Sequence, residues 1–159
     1  MTFRKAGEHE LAAVMLLYKS VIGTVGCTWS EQYPSEKELR DDYTADCLFV
    51  LDVHNIILGA VSVVPENELD DQETWTVNDG TQREIARVVV TPACQGCGYA
   101  RRMLTQLFEQ LKAAGCHSVH ILVAKINKPA IRLYRSMGFS FLGECFLYEY
   151  HFFTCEKIL

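Results

Sequence analysis

The sequence predicts one mixed α/β domain, in which helices flank a central sheet. Segments with apolar residues at helical spacing alternate with short β-rich runs, in the order α-α-β-β-β-α-β-α-β-β. This order indicates an antiparallel front half followed by a strand–helix–strand unit. The chain has 159 residues and 49% of them are apolar, which is enough for a single domain over residues 1–159 with a substantial core.

The front half is predicted to hold two helices and a pair of strands. Apolar residues between positions 11 and 22 follow helical spacing. Ser35 and Glu38 form a capping box, so a second helix should begin near Ser35. The run CLFVLDVHNIILGAVSVV predicts two strands with a turn at residues 53–55, and the polar stretch at residues 65–80 is a loop or carries strand ends.

The second half is centred on EIARVVV, residues 84–90, whose β-rich apolar composition predicts a central strand. A loop with two glycines follows, and then a long amphipathic helix that Gly115 should terminate. HSVHILVAK predicts another strand. KPAIRLYRSMG predicts a short helix with Pro129 near its start and Gly138 past its end, and residues 139–159 supply one or two closing strands.

The charge of the chain argues against nucleic acid as a partner. The formal net charge is −5, whereas nucleic-acid-binding proteins usually have a basic face. The acidic excess is typical of a soluble surface, although it also provides a field that mildly attracts a cationic substrate. No apolar run reaches the ~18 residues that a membrane span requires, and no signal peptide is evident. We therefore expect a cytoplasmic protein without a membrane partner.

Two overlapping patterns occur in VVVTPACQGCGYARRML, a CxxC and a G-x-G. A structural zinc site needs four ligands, usually from two such pairs, and only one pair is present. His117 and His120 lie three apart in a predicted strand, so they point to opposite faces and cannot share a metal. A redox pair, Cys94 and Cys97, is compatible with the position before a helix, where thiol pKa values are lowered. The seven cysteines are most simply free thiols.

The glycines favour a different interpretation of the same loop. It follows a buried strand and opens an amphipathic helix, and the N–H groups at a helix start suit a phosphate group. Gly96 and Gly98 have no Cβ, so the backbone can approach an anion closely. The common phosphate-binding fingerprints do not fit, because no G-x-x-x-x-G-K-[ST] is present and Arg101 replaces the third glycine of G-x-G-x-x-G.

VTPACQGCGYARRML resembles the acetyl-CoA motif of the GNAT superfamily of N-acetyltransferases, V-x-P-x-x-[Q/R]-x-x-G-x-[G/A]. The matching residues are Val90, Pro92, Gln95, Gly98 and Ala100. NKPAIRLYRSMGF resembles the family's next motif, N-x-x-A-x-x-L-Y-x-x-x-G-F. The matching residues are Asn127, Ala130, Leu133, Tyr134, Gly138 and Phe139. The two motifs stand in the family's order over residues 84–139, and TWSEQYPS is similar to a segment of some small bacterial members.

The resemblance implies the GNAT fold, which has a mixed central sheet of about six to seven strands, splayed at its centre and flanked by about four helices. It also implies an enzyme that moves an acetyl group from acetyl-CoA, without a metal, to a small-molecule or peptide amine by direct attack in a ternary complex. A homodimer is possible, with the aromatic C-terminal strand as its edge.

The resemblance assigns most of the cofactor site to the backbone. Pyrophosphate would be bound by the N–H groups of the loop and the first helical turn, where the side chain of Cys97 is incidental. The residues concerned are Gln95, Gly96, Cys97, Gly98, Tyr99, Ala100 and Arg101. The pantetheine arm would pair with Val88, Val89 and Val90 as an added strand, next to a bulge that frees an N–H group for the oxyanion. Asn127 and Ala130 would contact the cofactor, although Asn127 could instead only cap the following helix.

Two residues are candidates for catalysis. Tyr134 matches the family tyrosine that protonates the departing thiolate, and a phenol of pKa about 10 suits an alkyl thiol. From periodicity alone, Tyr134 is a residue packed on a helix face. Glu84 is the candidate general base, since a glutamate stands at this distance from the motif in histone-acetylating members. It could instead pair with Arg83 or Arg87, and many family members use water chains.

The acceptor site is expected between the first two helices and the closing strands. Trp29 and Tyr33 are candidate wall residues, with Tyr148 and Tyr150 as further candidates, and Arg87 could bind a substrate carboxylate or a neighbouring acid. Two other functions remain open at this point. One is a catalytically silent acyl-CoA-binding module, and the other is a thiol-disulfide oxidoreductase that uses Cys94 and Cys97.

Overall fold

A computed structural model of the protein describes residues 1–64 and 75–159. Its strands are β1 (Thr2–Lys5), β2 (Leu48–Val53), β3 (Ile56–Val64), β4 (Gln82–Val90), β5 (Ser118–Ala124), β6 (Ser140–Leu147) and β7 (Tyr150–Ile158). Its helices are α1 (Leu11–Ser20), α2 (Glu36–Thr44), α3 (Tyr99–Ala113) and α4 (Lys128–Ser136). None of these helices is long and apolar enough to cross a membrane.

The helices begin and end at residues whose local chemistry explains the boundary. Ser35 caps α2, because its side chain accepts from the N–H of Lys37 while Glu38 reaches back to the N–H of Ser35 at 2.8 Å. Gly115 follows α3 with a φ of 84°, and Gly138 follows α4 with a φ of 83°. These are left-handed conformations that glycine adopts without a steric cost, so both helices stop where the sequence predicts.

The seven strands form one mixed sheet in the order β1-β2-β3-β4-β5-β7-β6. Neighbouring strands are antiparallel except β4 and β5, which are parallel and are joined by α3. The central pair is short, because only Gln82–Glu84 of β4 pairs with Ser118–His120 of β5. Beyond these residues the two strands separate, which confirms the splayed centre implied by the family resemblance.

Two apolar clusters pack on opposite faces of the sheet. On one face, α3 and α4 contribute Met103, Leu107 and Tyr134 to a cluster with the sheet. On the other face, α1 and α2 contribute Val14 and Leu39 to a second cluster. Helices therefore cover both faces of the sheet. Where β4 and β5 separate, the two helix layers are no longer divided by paired strands.

Three details differ from the sequence predictions. The edge strand β1 was not predicted, because four residues are too few to display a period. The closing segment forms two strands, and the C-terminal β7 lies between β5 and β6, so the edge offered for a homodimer is β6 and not the C-terminal strand. The stretch predicted as a loop at residues 65–80 lies outside the described residues as far as position 74.

Candidate active site

The loop after β4 turns sharply before α3 begins. Residues Pro92–Cys94 form one 3-10 turn, and Gly96 and Gly98 follow with φ values of 78° and 83°. Both values lie in the left-handed region that residues with a Cβ disfavour, so the two glycines are required by the path of the loop. Gln95 holds the loop from inside, since its side-chain amide donates to the carbonyl of Val90 at 3.1 Å.

The backbone of this loop leaves several N–H groups available. Within the described chain, the first α3 residue that bonds back along the helix is Arg102, whose N–H donates to the carbonyl of Gly98 at 3.1 Å. The N–H of Cys97 reaches the carbonyl of Cys94. No other N–H between positions 96 and 101 has a partner among the described residues. These available groups belong to Gly96, Gly98, Tyr99, Ala100 and Arg101. Five N–H groups at one helix start form an anion-binding surface.

The space above this surface is open. A Cβ built on Gly96 or Gly98 would meet no atom of the described chain within 4 Å. The side chain of Arg101 does not fill the space, because it bonds to Ser136 at the end of α4. The residues present therefore fit a phosphate-bearing group that approaches the backbone directly.

Residues of β4 continue this surface toward the centre of the sheet. Past Glu84, the side of β4 that faces β5 has no strand partner in the described part of the chain, and this length includes Val88, Val89 and Val90. An edge of this kind can accept an extended, amide-bearing chain as an added strand. The loop N–H groups lie just beyond one end of this edge, so a single long ligand could contact both.

Asn127 and Ala130 lie at the start of α4. The side-chain oxygen of Asn127 accepts from the N–H of Ala130 at 3.1 Å, so Asn127 caps this helix as one of the two sequence interpretations predicts. Gly26, in the loop after α1, contacts the same residue. An added Cβ on Gly26 would lie 2.9 Å from the Asn127 Cα, so the two backbones touch.

Tyr134 lies in the core on the inner face of α4. It is 4% exposed and its ring packs edge-on against Phe139, with ring centroids 5.3 Å apart. Burial raises the pKa of Tyr134 well above its ordinary value of 10.0. From the sequence we expect a pKa near 10, and burial moves the pKa of this hydroxyl above that value, because a buried phenolate would not be hydrated.

Glu84 belongs to a row of polar residues that crosses three strands. It is in register with His120 on β5, which is in turn in register with Glu156 on β7. His120 is fully buried, its Nε2 lies 3.0 Å from Glu156, and its ring stacks on Trp75. Burial alone would raise the pKa of Glu156, but donors from His120 and from residues 76 and 77 hold that pKa below its ordinary value.

The acceptor-side candidates meet around Arg87. Its guanidinium makes a two-pronged ion pair with Asp42 of α2, at 2.7 and 2.6 Å, and donates to the hydroxyl of Tyr33 at 3.1 Å. From the sequence, Arg87 could bind either a substrate carboxylate or a neighbouring acid, and in the structure Arg87 binds the neighbouring acid, Asp42. The guanidinium of Arg83 bonds to the carbonyls of residues 80 and 82, and the pairing of Glu84 with Arg83 or Arg87 stays a prediction.

The remaining aromatic candidates are divided between two places. Trp29 packs edge-on against Tyr18 of α1 with centroids 5.4 Å apart, on the same face of the sheet as the Arg87 ion pair. The buried hydroxyl of Tyr18 lies beside Ser62 and Asp42 without a well-formed hydrogen bond among the described residues. Tyr148 and Tyr150 lie in the β6–β7 hairpin and are 71% and 37% exposed.

Sequence reasoning did not single out Asp42, Tyr18 or Glu156, and it considered His120 only as a metal ligand. Asp42 is one of several acids on a short polar helix, and the pattern of α2 does not distinguish it from its neighbours. Its partner lies 45 positions away, so only the fold identifies the pair. Glu156 lies in a strand rich in aromatic residues, but that strand also holds His151, Thr154 and Lys157, so its sequence does not show that Glu156 is buried.

The CxxC has an ordinary environment. Cys94 is half-buried and packs on the core, while Cys97 is exposed, and both are free thiols. Within residues 1–64 and 75–159, no group of three or more His, Cys, Asp or Glu residues is arranged to hold a metal ion.

Comparison with known proteins identifies the family. A profile of the acetyltransferase (GNAT) family matches residues 9–139. An L-methionine sulfoximine/L-methionine sulfone acetyltransferase of Salmonella typhimurium is 25% identical over 146 residues, which cover 88% of this chain and 80% of that protein.

Solved structures of acetyltransferases have the same fold. A GNAT-family acetyltransferase from Streptococcus agalactiae superimposes with a TM-score of 0.86 at 19% identity, covering 99% of this chain and 95% of its own. A putative acetyltransferase from Salmonella typhimurium, solved with its cofactor acetyl-CoA, gives a TM-score of 0.77 at 21% identity, covering 100% of this chain and 94% of its own. The protein therefore belongs to the acetyltransferase (GNAT) family and is an acyltransferase.

Proposed function

We propose that this protein transfers an acetyl group from acetyl-CoA directly to a primary amine, with both substrates bound together. The observation that carries the proposal combines five available N–H groups at the start of α3 with the length of β4 beside them, which on its β5 side has no strand partner among residues 1–64 and 75–159. A ligand suited to both has an anionic end and an extended amide chain, and coenzyme A has these two parts.

The cofactor would be held mainly by backbone. The N–H groups of Gly96, Gly98 and residues 99–101 would bind the pyrophosphate, and Val88–Val90 would pair with the pantetheine arm. Asn127 and Ala130, at the start of the helix that follows β5, would contact the cofactor from the β5 side. Acetyl-CoA supplies the acetyl group as a thioester, which is activated toward attack by an amine.

The attacking amine must be neutral, so a proton has to leave it. Glu84 is our candidate for the group that accepts this proton, because it is a half-buried carboxylate at the point where β4 and β5 begin to separate. In Glu84→Gln, kcat/KM should fall and the rise of the rate between acidic and neutral pH should weaken. A water chain would leave that limb of the pH–rate profile unchanged.

Two groups would stabilise the later charges. An N–H of β4 next to its bulge would donate to the acetyl oxygen as negative charge develops there. As the amine nitrogen bonds to the acetyl carbon, the carbon–sulfur bond breaks and the thiolate needs a proton, which Tyr134 would supply. The raised pKa of Tyr134 means that its hydroxyl gives up a proton less readily. The same burial would raise the pKa of a thiol beside it, so the thiolate would also be a stronger base.

The acceptor would enter from the α1–α2 side, where Trp29 and Tyr33 provide aromatic surface. The relative from Salmonella typhimurium is named for two amino-acid derivatives, so amino acids and oxidised methionine derivatives are the first acceptors to test. Peptides with a free N-terminus and simple amines complete the panel, because the Arg87 guanidinium is already paired with Asp42 and does not by itself select for a carboxylate.

The test is a turnover screen that measures free thiol released from acetyl-CoA with each amine of the panel. We expect at least one acceptor to give thiol release in step with its acetylated product, detected by mass spectrometry. A silent acyl-CoA-binding module would bind CoA in calorimetry and acetylate nothing. Thiol release that requires Cys94 and Cys97, and that disappears when both are replaced by serine, would contradict direct transfer.

A further inference from the structure

Arg87 has an unusual backbone for its place in the sheet. Its φ is 52°, and it is the one non-glycine residue of the described chain with a positive φ that lies inside a strand. The other such residues lie in turns or between elements, at positions 46, 54, 55, 148 and 149. A long side chain in this conformation is strained, and such strain persists only where other contacts hold it.

The strain coincides with a bulge in β4. Ala60 of β3 is paired with Val89 and Ser62 is paired with Ala86, so two residues of β4 stand opposite the single Val61. One of these two is Arg87. The bulge changes which layer each side chain reaches: Val88 packs with the α3–α4 cluster, whereas Arg87 is directed to α2 on the opposite face.

Asp42 is the main contact that holds Arg87 there. The two side chains are 11% and 9% exposed and are joined by the two-pronged ion pair. The hydroxyl of Ser62 also donates to the Asp42 carboxylate, and the Tyr33 hydroxyl accepts a third bond from the guanidinium. A planar guanidinium bound at both oxygens of a buried carboxylate has one orientation, so it limits the backbone conformations that the residue carrying it can adopt.

The bulge stands between the parts of β4 that the proposed function uses. Glu84 precedes it, Val88 is its second residue, and Val89 and Val90 follow it. We propose that Asp42 is a positioning residue, which acts through Arg87 to keep the β4 bulge in the conformation that presents its N–H group to the acetyl oxygen. The kinetic consequence of this inference rests on the proposed function. The effect of the Asp42–Arg87 ion pair on the bulge can be tested without measuring enzyme activity.

The kinetic test uses the best acceptor of the turnover screen with the variants Asp42→Asn, Arg87→Lys and the double variant. Arg87→Lys keeps the positive charge but cannot make two parallel hydrogen bonds to the Asp42 carboxylate. It therefore tests the geometry of the ion pair with the least risk to folding. We expect each single variant to lower kcat by about tenfold or more while the calorimetric Kd for CoA stays within about twofold. The double variant should be no slower than the slower single variant, since the two residues act through each other.

Asp41→Asn is the matched control. Asp41 is the neighbouring acid on α2, its side chain is 62% exposed, and it pairs with Lys37 on the surface. Its kcat should equal that of the wild type within about twofold. Additive losses in the Asp42–Arg87 cycle, or an unchanged kcat in a folded Asp42→Asn, would overturn the proposal. So would losses confined to acceptors with a carboxylate, which would make Arg87 a substrate receptor.

A spectroscopic measurement separates this inference from the proposed function. In 15N–1H correlation spectra of the protein without ligands, Asp42→Asn and Arg87→Lys should shift the amides of residues 86–89 strongly, and Asp41→Asn should leave them in place. If no amine is acetylated, the proposed function fails, and these shifts still decide whether Asp42 fixes the bulge. Unshifted amides in both variants would overturn the inference.

Discussion

The proposed cofactor side and the proposed acceptor side of the opening between β4 and β5 are built in different ways. The proposed cofactor side draws mainly on backbone groups from two short stretches of chain, residues 88–101 and 127–134. The proposed acceptor side is held by side-chain contacts between distant positions, such as Asp42 with Arg87 and Tyr18 with Trp29. Backbone groups follow from local conformation, which a short motif can specify, whereas long-range side-chain pairs depend on the whole fold.

This difference predicts that changes on the two sides will affect different measurements. Changes in the loop should weaken the binding of CoA, changes around Arg87 should affect turnover or the acceptor, and changes outside both regions should affect only stability. The four predictions that follow test this separation, and the largest expected effect comes first.

Tyr134→Phe should lower kcat by about 10²–10⁴-fold, the range for loss of a general acid or base. The Kd for CoA should change little, because the ring keeps its contact with Phe139. Steady-state kinetics and calorimetry measure the two quantities. Tyr43→Phe, a half-buried tyrosine on α2, is the matched control and should behave as the wild type. An unchanged kcat in Tyr134→Phe would favour a non-catalytic tyrosine in the core.

Gly98→Val should weaken CoA binding by on the order of a hundredfold, since two or more charge-assisted hydrogen bonds of about 1.5–3 kcal/mol each would be lost. A β-branched residue is strained at a φ of 83°, and its methyl groups would occupy the open space above the loop. Calorimetry measures the effect. Cys97→Ser changes an exposed side chain in the same loop and should bind CoA as the wild type does; the reverse result would favour the CxxC as the functional pattern.

Tyr33→Phe should have a small effect confined to the acceptor side. The variant loses the hydrogen bond to Arg87, and a net contribution of about 0.5–1.5 kcal/mol corresponds to a change of roughly two- to tenfold in the KM of the acceptor or in kcat. The ring itself, which is 42% exposed, remains available to a substrate. Calorimetry should give an unchanged Kd for CoA, and a weakened one would mean that the two sides are not separate.

Glu10→Gln should change stability and neither kinetics nor CoA binding. The Arg4 guanidinium, which bonds to Glu10 at 2.8 Å, lowers the pKa of Glu10 from 4.5 to about 2. A carboxylate with a lowered pKa stabilises the fold above its unfolded pKa, and this contribution is lost as the pH falls from about 4.5 toward 2. Because Arg4 is 38% exposed, we expect about 1–2 kcal/mol at pH 7.

Urea unfolding at several pH values measures this difference between wild type and variant. It should be largest at neutral pH and should shrink as the pH falls from about 4.5 toward 2, because Glu10 takes up its proton at a higher pH in the unfolded chain than in the folded protein. A difference that stays constant down to pH 2.5 would mean that Arg4 does not set the pKa of Glu10.

The difference between features set by local backbone conformation and features set by contacts between distant residues also explains what the sequence could predict. The helices and the central strands follow from periodicity and caps, the loop glycines from the motif, and the splaying of the central strands from the family resemblance, and the structure has all of them. The short β1, the Asp42 partner of Arg87 and the raised pKa of Tyr134 depend on packing between segments far apart in the chain. The family resemblance supplied roles for Tyr134 and Glu84, and the geometry leaves both as candidates.

The contact between Gly26 and Asn127 has a consequence for how this enzyme can acquire new acceptors. Because backbone touches backbone at that point, the distance between the loop after α1, on the proposed acceptor side, and the start of α4, on the proposed cofactor side, is set by the backbone and not by any side chain. A random library at positions 29 and 33 can therefore vary the acceptor without separating the two substrates. In a second library that also randomises position 26, we expect the selection to return only glycine there, whichever amine is chosen.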